Sequence, residues 1–181
     1  MIETTLLLVR HGETDWNVER RVQGHSDRPL NDTGLAQAAA LVEELADEQI
    51  DAVYTSDLLR ALDTASGVAD SRGLQVVALP ELREKNFGTW EGLTAAEIRE
   101  RFPQALTGPW GDGETSDELA ERVLGALRRI AADHPGGRVL VVTHGGPVRA
   151  VLRHCALEDG PVPNCHVTRI AVGNGSLRSV D

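Results

Sequence analysis

Leu6-Leu7-Leu8-Val9-Arg10-His11-Gly12-Glu13-Thr14 places four apolar residues directly before a cation, an imidazole and a glycine. A continuous apolar run of this length reads as a strand buried on both faces of a parallel sheet. In open α/β sheets, ligands bind outside the carboxyl ends of the strands. The stretch therefore delivers Arg10 and His11 to the edge where this architecture places its chemistry.

Working outward, strands are expected at Thr5–Arg10, Ala52–Thr55, Gln75–Leu79 and Val139–Thr143, with helices between them. Leu35, Ala38, Ala39, Val42, Leu45 and Ala46 keep helical spacing behind capping candidates at Asn31-Asp32-Thr33. Leu58, Ala61, Leu62, Ala65, Val68 and Ala69 do the same, with Ser56 as the expected N-cap. Thr94 with Glu97 and Thr115 with Glu118 have capping-box spacing. The second box opens a long amphipathic helix through Leu119, Val123, Leu127, Ile130 and Ala131, stopped by His134-Pro135-Gly136-Gly137. Val148, Val151 and Leu152 mark a further helix, and Asn174-Gly175 reads as a hairpin turn between two terminal strands. The expectation is a single α/β domain over residues 1–181. It is a three-layer α/β/α sandwich whose mostly parallel central sheet has an antiparallel edge. Residues 105–113, rich in glycine and proline, read as a surface loop that could cover a site.

Composition narrows the function classes. The 181 residues carry 28 Asp and Glu against 18 Lys and Arg, a net charge of −10, which argues against a nucleic-acid surface. No run approaches the roughly 18 apolar residues of a membrane span. Met1-Ile2-Glu3-Thr4 is not basic and strand-like sequence follows at once, so no signal peptide and a cytoplasmic setting are expected. Cys155 and Cys165 lack metal spacing and are expected to be reduced. No metal site and no cofactor are expected. An edge strand leaves a homodimer open.

Polar groups follow each of the four strands. Arg10 and His11 end the first, Arg60 lies one helical turn past the second, Glu84 follows the third, and His144 with Gly145-Gly146 follows the fourth. A parallel sheet would bring them to one edge. Two guanidiniums, two imidazoles and a carboxylate suit phosphoryl transfer. A phosphomonoester is nearly a dianion at neutral pH, and arginine's planar fork matches its oxygens. An imidazole can attack phosphorus. A carboxyl group can protonate the departing oxygen and then activate water. Helix N-termini at Gly12, Ser56 and Gly145 are expected to add backbone donors.

At these residues the chain resembles the histidine phosphatases, the phosphoglycerate-mutase-like superfamily. The matching blocks are "LLLVRHGETDWN" at 6–17, "RRVQGHSDRPLNDTG" at 20–34, "YTSDLLRALDTA" at 54–65, "LREKNFGTWEG" at 82–92, "GETSDE" at 113–118 and "VVTHGGPVRAVL" at 141–152. The resemblance implies that His11 becomes a phosphohistidine, that Arg10, Arg60 and His144 grip the phosphoryl oxygens, and that Glu84 is the proton donor and acceptor. Asn17, Gln23 and Gly24 match substrate-pocket positions, with Arg21 close by. It implies no metal. Thr115 stands where a serine is commoner.

The expected activity is metal-independent hydrolysis of a small phosphomonoester. The alternative is a cofactor-dependent phosphoglycerate mutase, which needs a pocket closed to water. The short 93–113 region, without the insertions of the glycolytic mutases, favours hydrolysis. A non-catalytic phosphate-binding module is the third reading. His25, His134, His154 and His166 lack a motif and are expected to be packing or surface residues. Trp90 and Trp110 are expected in the core or pocket wall, with Trp16 beneath the signature.

Overall fold

A computed structural model describes residues 2–106 and 112–180 of the chain. Six strands form one sheet: β1 (Thr4–Arg10), β2 (Ala52–Thr55), β3 (Val76–Ala78), β4 (Arg138–Thr143), β5 (Val167–Gly173) and β6 (Ser176–Ser179). Their order is β3-β2-β4-β1-β5-β6. The first four are mutually parallel, while β5 and β6 run antiparallel at one edge. The helices are α1 (Asp15–Val18), α2 (Asp32–Glu44), α3 (Leu59–Asp70), α4 (Ala95–Arg101), α5 (Ser116–Asp133) and α6 (Gly145–His154).

Strand alternation splits the apolar run of β1 between two cores. Leu6 and Leu8 face Val139, Val141 and Ile170 and pack on α5 and α6. Leu7 and Val9 face Val53, Leu140 and Val142 and pack on α2 and α3. Both faces of β1 are therefore dry, which is why its sequence shows no polar alternation. Truncating any of these leucines to alanine costs about 2–5 kcal/mol. The layers are helix, sheet, helix, as the strand–helix alternation dictates.

The strand register aims the chain ends. Arg10 pairs opposite Thr143, so His11 and His144 leave the sheet side by side. Thr55 pairs opposite Val142, which sets Ser56 next to them. The His11 amide closes this edge by donating to the Thr143 carbonyl at 2.9 Å. Thr143 Oγ1 donates to the Leu82 carbonyl at 2.7 Å and so ties down the turn that carries Glu84.

Two expected helix starts are corrected. No helix begins at Gly12, whose N–H donates to Thr64 Oγ1 at 3.0 Å. The chain makes only the short turn α1, closed by a Thr14/Asn17 capping box. Ser56 is not the cap of α3: that helix starts at Leu59 behind Leu58, which has no capping side chain. A remote carboxylate does the work, as Asp27 Oδ1 accepts the Leu59 N–H at 2.8 Å. The boxes at Thr94 and Thr115 form as expected. Trp90 is buried, whereas Trp16 is half-buried, lying against Gly92 with Arg28 over its ring instead of beneath the signature. Trp110 and most of the expected 105–113 loop lie outside the described residues.

Candidate active site

The carboxyl edge of the sheet opens into a small polar pocket of about 160 Å³, lined among others by Arg10, His11, Arg60 and Glu84. His144 is wholly buried behind it, its ring centroid 5.1 Å from that of His11. Four sequence-remote segments thus converge as the parallel sheet requires.

His11 is fixed by its own backbone neighbourhood. Its Nδ1 lies 2.6 Å from the Gly12 carbonyl. A carbonyl only accepts, so Nδ1 carries the proton and Nε2 carries the lone pair. Burial, then the charges of Arg60 and Arg10, hold its pKa well below the usual 6.5, against the Gly12 carbonyl. His144 is pushed down in the same way, by burial first and then by Arg60. Both rings are neutral at neutral pH.

Ser56 holds the ring of His144. Its Oγ accepts the Leu58 N–H at 3.4 Å and lies 2.7 Å from His144 Nε2. Accepting one bond leaves the hydroxyl its proton and a second lone pair; when it donates to Nε2, the His144 proton lies on Nδ1, the ring nitrogen that has no partner among the described residues. Sequence reasoning missed this role, because a serine after a strand reads equally well as a helix cap.

The guanidiniums are held from behind. Arg60, fully buried, donates to the carbonyls of Ser26 at 2.9 Å and Gly24 at 2.7 Å. Burial pulls its pKa down to about 10, opposed by the charges of Glu84, Asp27 and Glu91. Arg10 donates through Nη1 to the Val162 carbonyl at 2.6 Å. Arg10 Nε, Arg60 Nε and His144 Nδ1 are buried without a hydrogen-bond partner among the described residues. Each unpaired buried donor costs about 1–3 kcal/mol. Three in one place mark a site built around acceptor oxygens.

Glu84 reaches the pocket across the start of α6. Its Oε2 accepts the Gly146 N–H at 3.1 Å and its Oε1 the Lys85 N–H at 2.8 Å. A β-carbon at Gly146 would stand only 2.0 Å from Oε1. The Glu84 carbonyl is clamped by His25 Nε2 at 2.9 Å and by Arg122 Nη2 at 2.8 Å. Neither residue was singled out from sequence. His25 was expected to be a surface or packing residue, and Arg122 looks like an ordinary polar position beside the apolar stripe of α5.

The expected pocket residues separate. Asn17, Gln23 and Gly24 line the pocket. Thr14 Oγ1 lies within hydrogen-bond reach of both Asn17 Oδ1 and Gln23 Oε1. Gly24 adopts φ +52°, and a β-carbon there would collide with Glu91 at 2.1 Å. Glu91 itself accepts from the N–H groups of His25, Ser26 and Phe87 and holds this loop in shape. Arg21 reaches the pocket rim, but its charge is neutralised by Glu19 at 2.7 Å and Glu97 at 2.9 Å. Arg149, which sequence reasoning did not single out, also lines the pocket. A larger hollow of about 660 Å³ lies beyond His25 and Asn86. Its Arg122 is bound to Glu114 at 2.6 Å.

The description "Histidine phosphatase superfamily (branch 1)" matches residues 6–181. The chain belongs to the histidine phosphatase superfamily. Within it, the chain is 43% identical over 159 residues to a metal-independent phosphoserine phosphatase of Arabidopsis thaliana, covering 82% of this chain and 67% of that protein. It is also 43% identical over 158 residues to phosphoglycerate mutase-like protein 4 of the same plant, covering 81% and 68%. The solved structure of Bacillus stearothermophilus YhfR superposes with a TM-score of 0.89 at 36% identity, over 98% of this chain and 95% of that one. The histidine phosphatase fold expected from the motifs is therefore the fold observed. Among the described residues no helix is long and apolar enough to cross a membrane.

Proposed function

We propose that this chain hydrolyses a small phosphomonoester through a phosphohistidine on His11. The observation that carries the reading is the set of three buried, unpartnered nitrogens, of Arg10, Arg60 and His144, beside a neutral imidazole.

In the first half-reaction the Nε2 lone pair of His11 attacks phosphorus in line. The ester P–O bond breaks, and Glu84 gives its proton to the leaving alkoxide. Arg10, Arg60 and His144 hold the three equatorial oxygens, where charge gathers in the transition state. The guanidiniums are fixed in place before substrate arrives, so little reorganisation accompanies the reaction. In the second half-reaction Glu84 takes a proton from water, the oxygen attacks phosphorus, and the P–N bond breaks. Phosphate leaves and His11 is neutral again. Asn17, Gln23 and Gly24 are proposed to contact the substrate. Arg21, already neutralised by two carboxylates, serves to tie the pocket rim to α4. A cytoplasmic setting accords with the free thiols of Cys155 and Cys165.

A mutase would use the same groups but return the phosphoryl group to a second hydroxyl. Hydrolysis and isomerisation separate in one experiment: purified protein in EDTA is offered a panel of phosphomonoesters, with and without a bisphosphate primer. Release of inorganic phosphate without an isomeric product is expected. Efficient isomerisation that requires the primer would overturn the hydrolytic reading.

A further inference from the structure

Arg149 is a cation that the proposed phosphoryl grip does not use. It sits in the first turn and a half of α6, and its side chain runs back toward the helix N-terminus, as long helical side chains do. Its Nη1 lies 3.1 Å from the point where a β-carbon of Gly145 would stand, and Arg10 Nε lies 3.7 Å from the same point. The two guanidiniums therefore lie against one bare glycine face, which both expose to the pocket. They are close enough that Arg149 helps to pull down the pKa of Arg10.

This placement is unfavourable without an anion. The N-terminal end of a helix repels a cation, and Arg10 repels it again. Arg149 makes no hydrogen bond or ion pair with any described residue. Asp159 lies within range of its charge, but the Asp159 carboxylate is bound to Arg153 at 2.6 Å. The other cations around the pocket are engaged: Arg21 by Glu19 and Glu97, Arg60 by the carbonyls of Gly24 and Ser26, and Arg10 by that of Val162. In a chain of net charge −10, carboxylates are plentiful, yet none among the described residues is paired with Arg149.

We propose that Arg149 binds a carboxylate on the substrate, a few bonds from the ester oxygen, and thereby selects phosphorylated small organic acids over neutral or cationic phosphomonoesters. The proposal rests on the hydrolytic reading above. The planar guanidinium fork suits a carboxylate. The small pocket places that carboxylate beside the phosphoryl group, with Gly145 leaving room between the two arginines. A β-carbon there would crowd the tip of Arg149 at 3.1 Å and come into ordinary contact with Arg10 Nε at 3.7 Å.

Matched substrate pairs test this directly. L-phosphoserine and phosphoethanolamine differ by the carboxylate alone, and 3-phosphoglycerate carries a carboxylate where glycerol 3-phosphate carries a neutral hydroxymethyl group. The measured quantity is the ratio of kcat/KM for acid over non-acid, which is independent of the folded fraction of a preparation. The wild-type protein is expected to favour the acid in at least one pair, and Arg149→Gln to reduce that ratio roughly 10- to 150-fold, the range for a lost hydrogen bond to a charged group. Arg149→Lys should retain part of the preference. A ratio unchanged in Arg149→Gln, or a wild-type preference for the non-acid member of both pairs, overturns the role of Arg149 while leaving hydrolysis intact. Wild-type protein that releases phosphate from none of the four overturns both this role and the hydrolytic reading for these substrates; release from other monoesters in the wider panel confines the failure to Arg149.

Discussion

A β-carbon at Gly146 would meet Glu84 Oε1 at 2.0 Å, so the identity of residue 146 decides where the proposed acid sits. Gly146→Ala is expected to push the carboxylate out of line while leaving the buried cations in place. Turnover of a substrate with a poor leaving group should fall about 10²–10⁴-fold, the usual contribution of a positioned acid. A substrate that leaves easily as an anion, such as p-nitrophenyl phosphate, should lose much less in its first step. Equal losses on both substrates in steady-state and burst kinetics would contradict the assignment of Glu84. At this scale the sequence was informative where a residue's chemistry and its motif coincide. Arg10, His11, Arg60, Glu84 and His144 all meet at the pocket. It was silent on Arg149, whose reach to Gly145 depends on how a side chain runs along a helix. It was ambiguous at Ser56, where capping a helix and holding an imidazole call for the same hydroxyl.

At the scale of elements, register does most of the positioning. Arg10 opposite Thr143 and Thr55 opposite Val142 bring His11, His144 and Ser56 together without any long-range polar design. Such register is legible only as an expectation of parallel strands; the pairing partners are set by packing between layers. The turn after β3 is different, because β3 has only three residues and is largely exposed. It is held instead by α5, whose Arg122 donates to the carbonyls of Glu81, Arg83 and Glu84 at 2.8, 2.9 and 2.8 Å and pairs with Glu114. Arg122→Gln should therefore loosen the Glu84 turn and lower kcat about 10-fold or more through misplacement of the acid. The KM for a small phosphomonoester should change far less, since Arg10 and Arg60 are anchored elsewhere. A rise in KM at constant kcat would contradict this division. Amphipathic spacing located α5, but nothing in that spacing distinguishes Arg122 from the neighbouring arginines.

At the scale of the whole molecule, two neutral imidazoles are locked inside a pocket ringed by fixed positive charge. Burial and the arginines hold His11 and His144 well below the 6.5 that each regains on unfolding. Below that pH the unfolded chain binds protons that the native chain refuses, so stability is whole above it and falls as pH drops. The slope is about 1.4 kcal/mol per pH unit for each imidazole. The ion-paired carboxylates of Glu48 and Asp57, which Arg169 and Arg83 hold below their usual 4.5 and 3.8, add their losses in a lower window. Urea midpoints should therefore fall between pH 7 and pH 5; midpoints that stay flat across this range would contradict the neutral pair. The same neutrality is what the nucleophilic role proposed for His11 requires, and one measurement tests that proposal most directly. Protein mixed with phosphate-labelled substrate in EDTA, quenched in alkali within milliseconds and digested, should carry an acid-labile, base-stable label on the peptide containing His11, absent from His11→Ala. Label on another residue, label surviving in His11→Ala, or turnover with no covalent label under conditions where the second half-reaction is rate-limiting would contradict it.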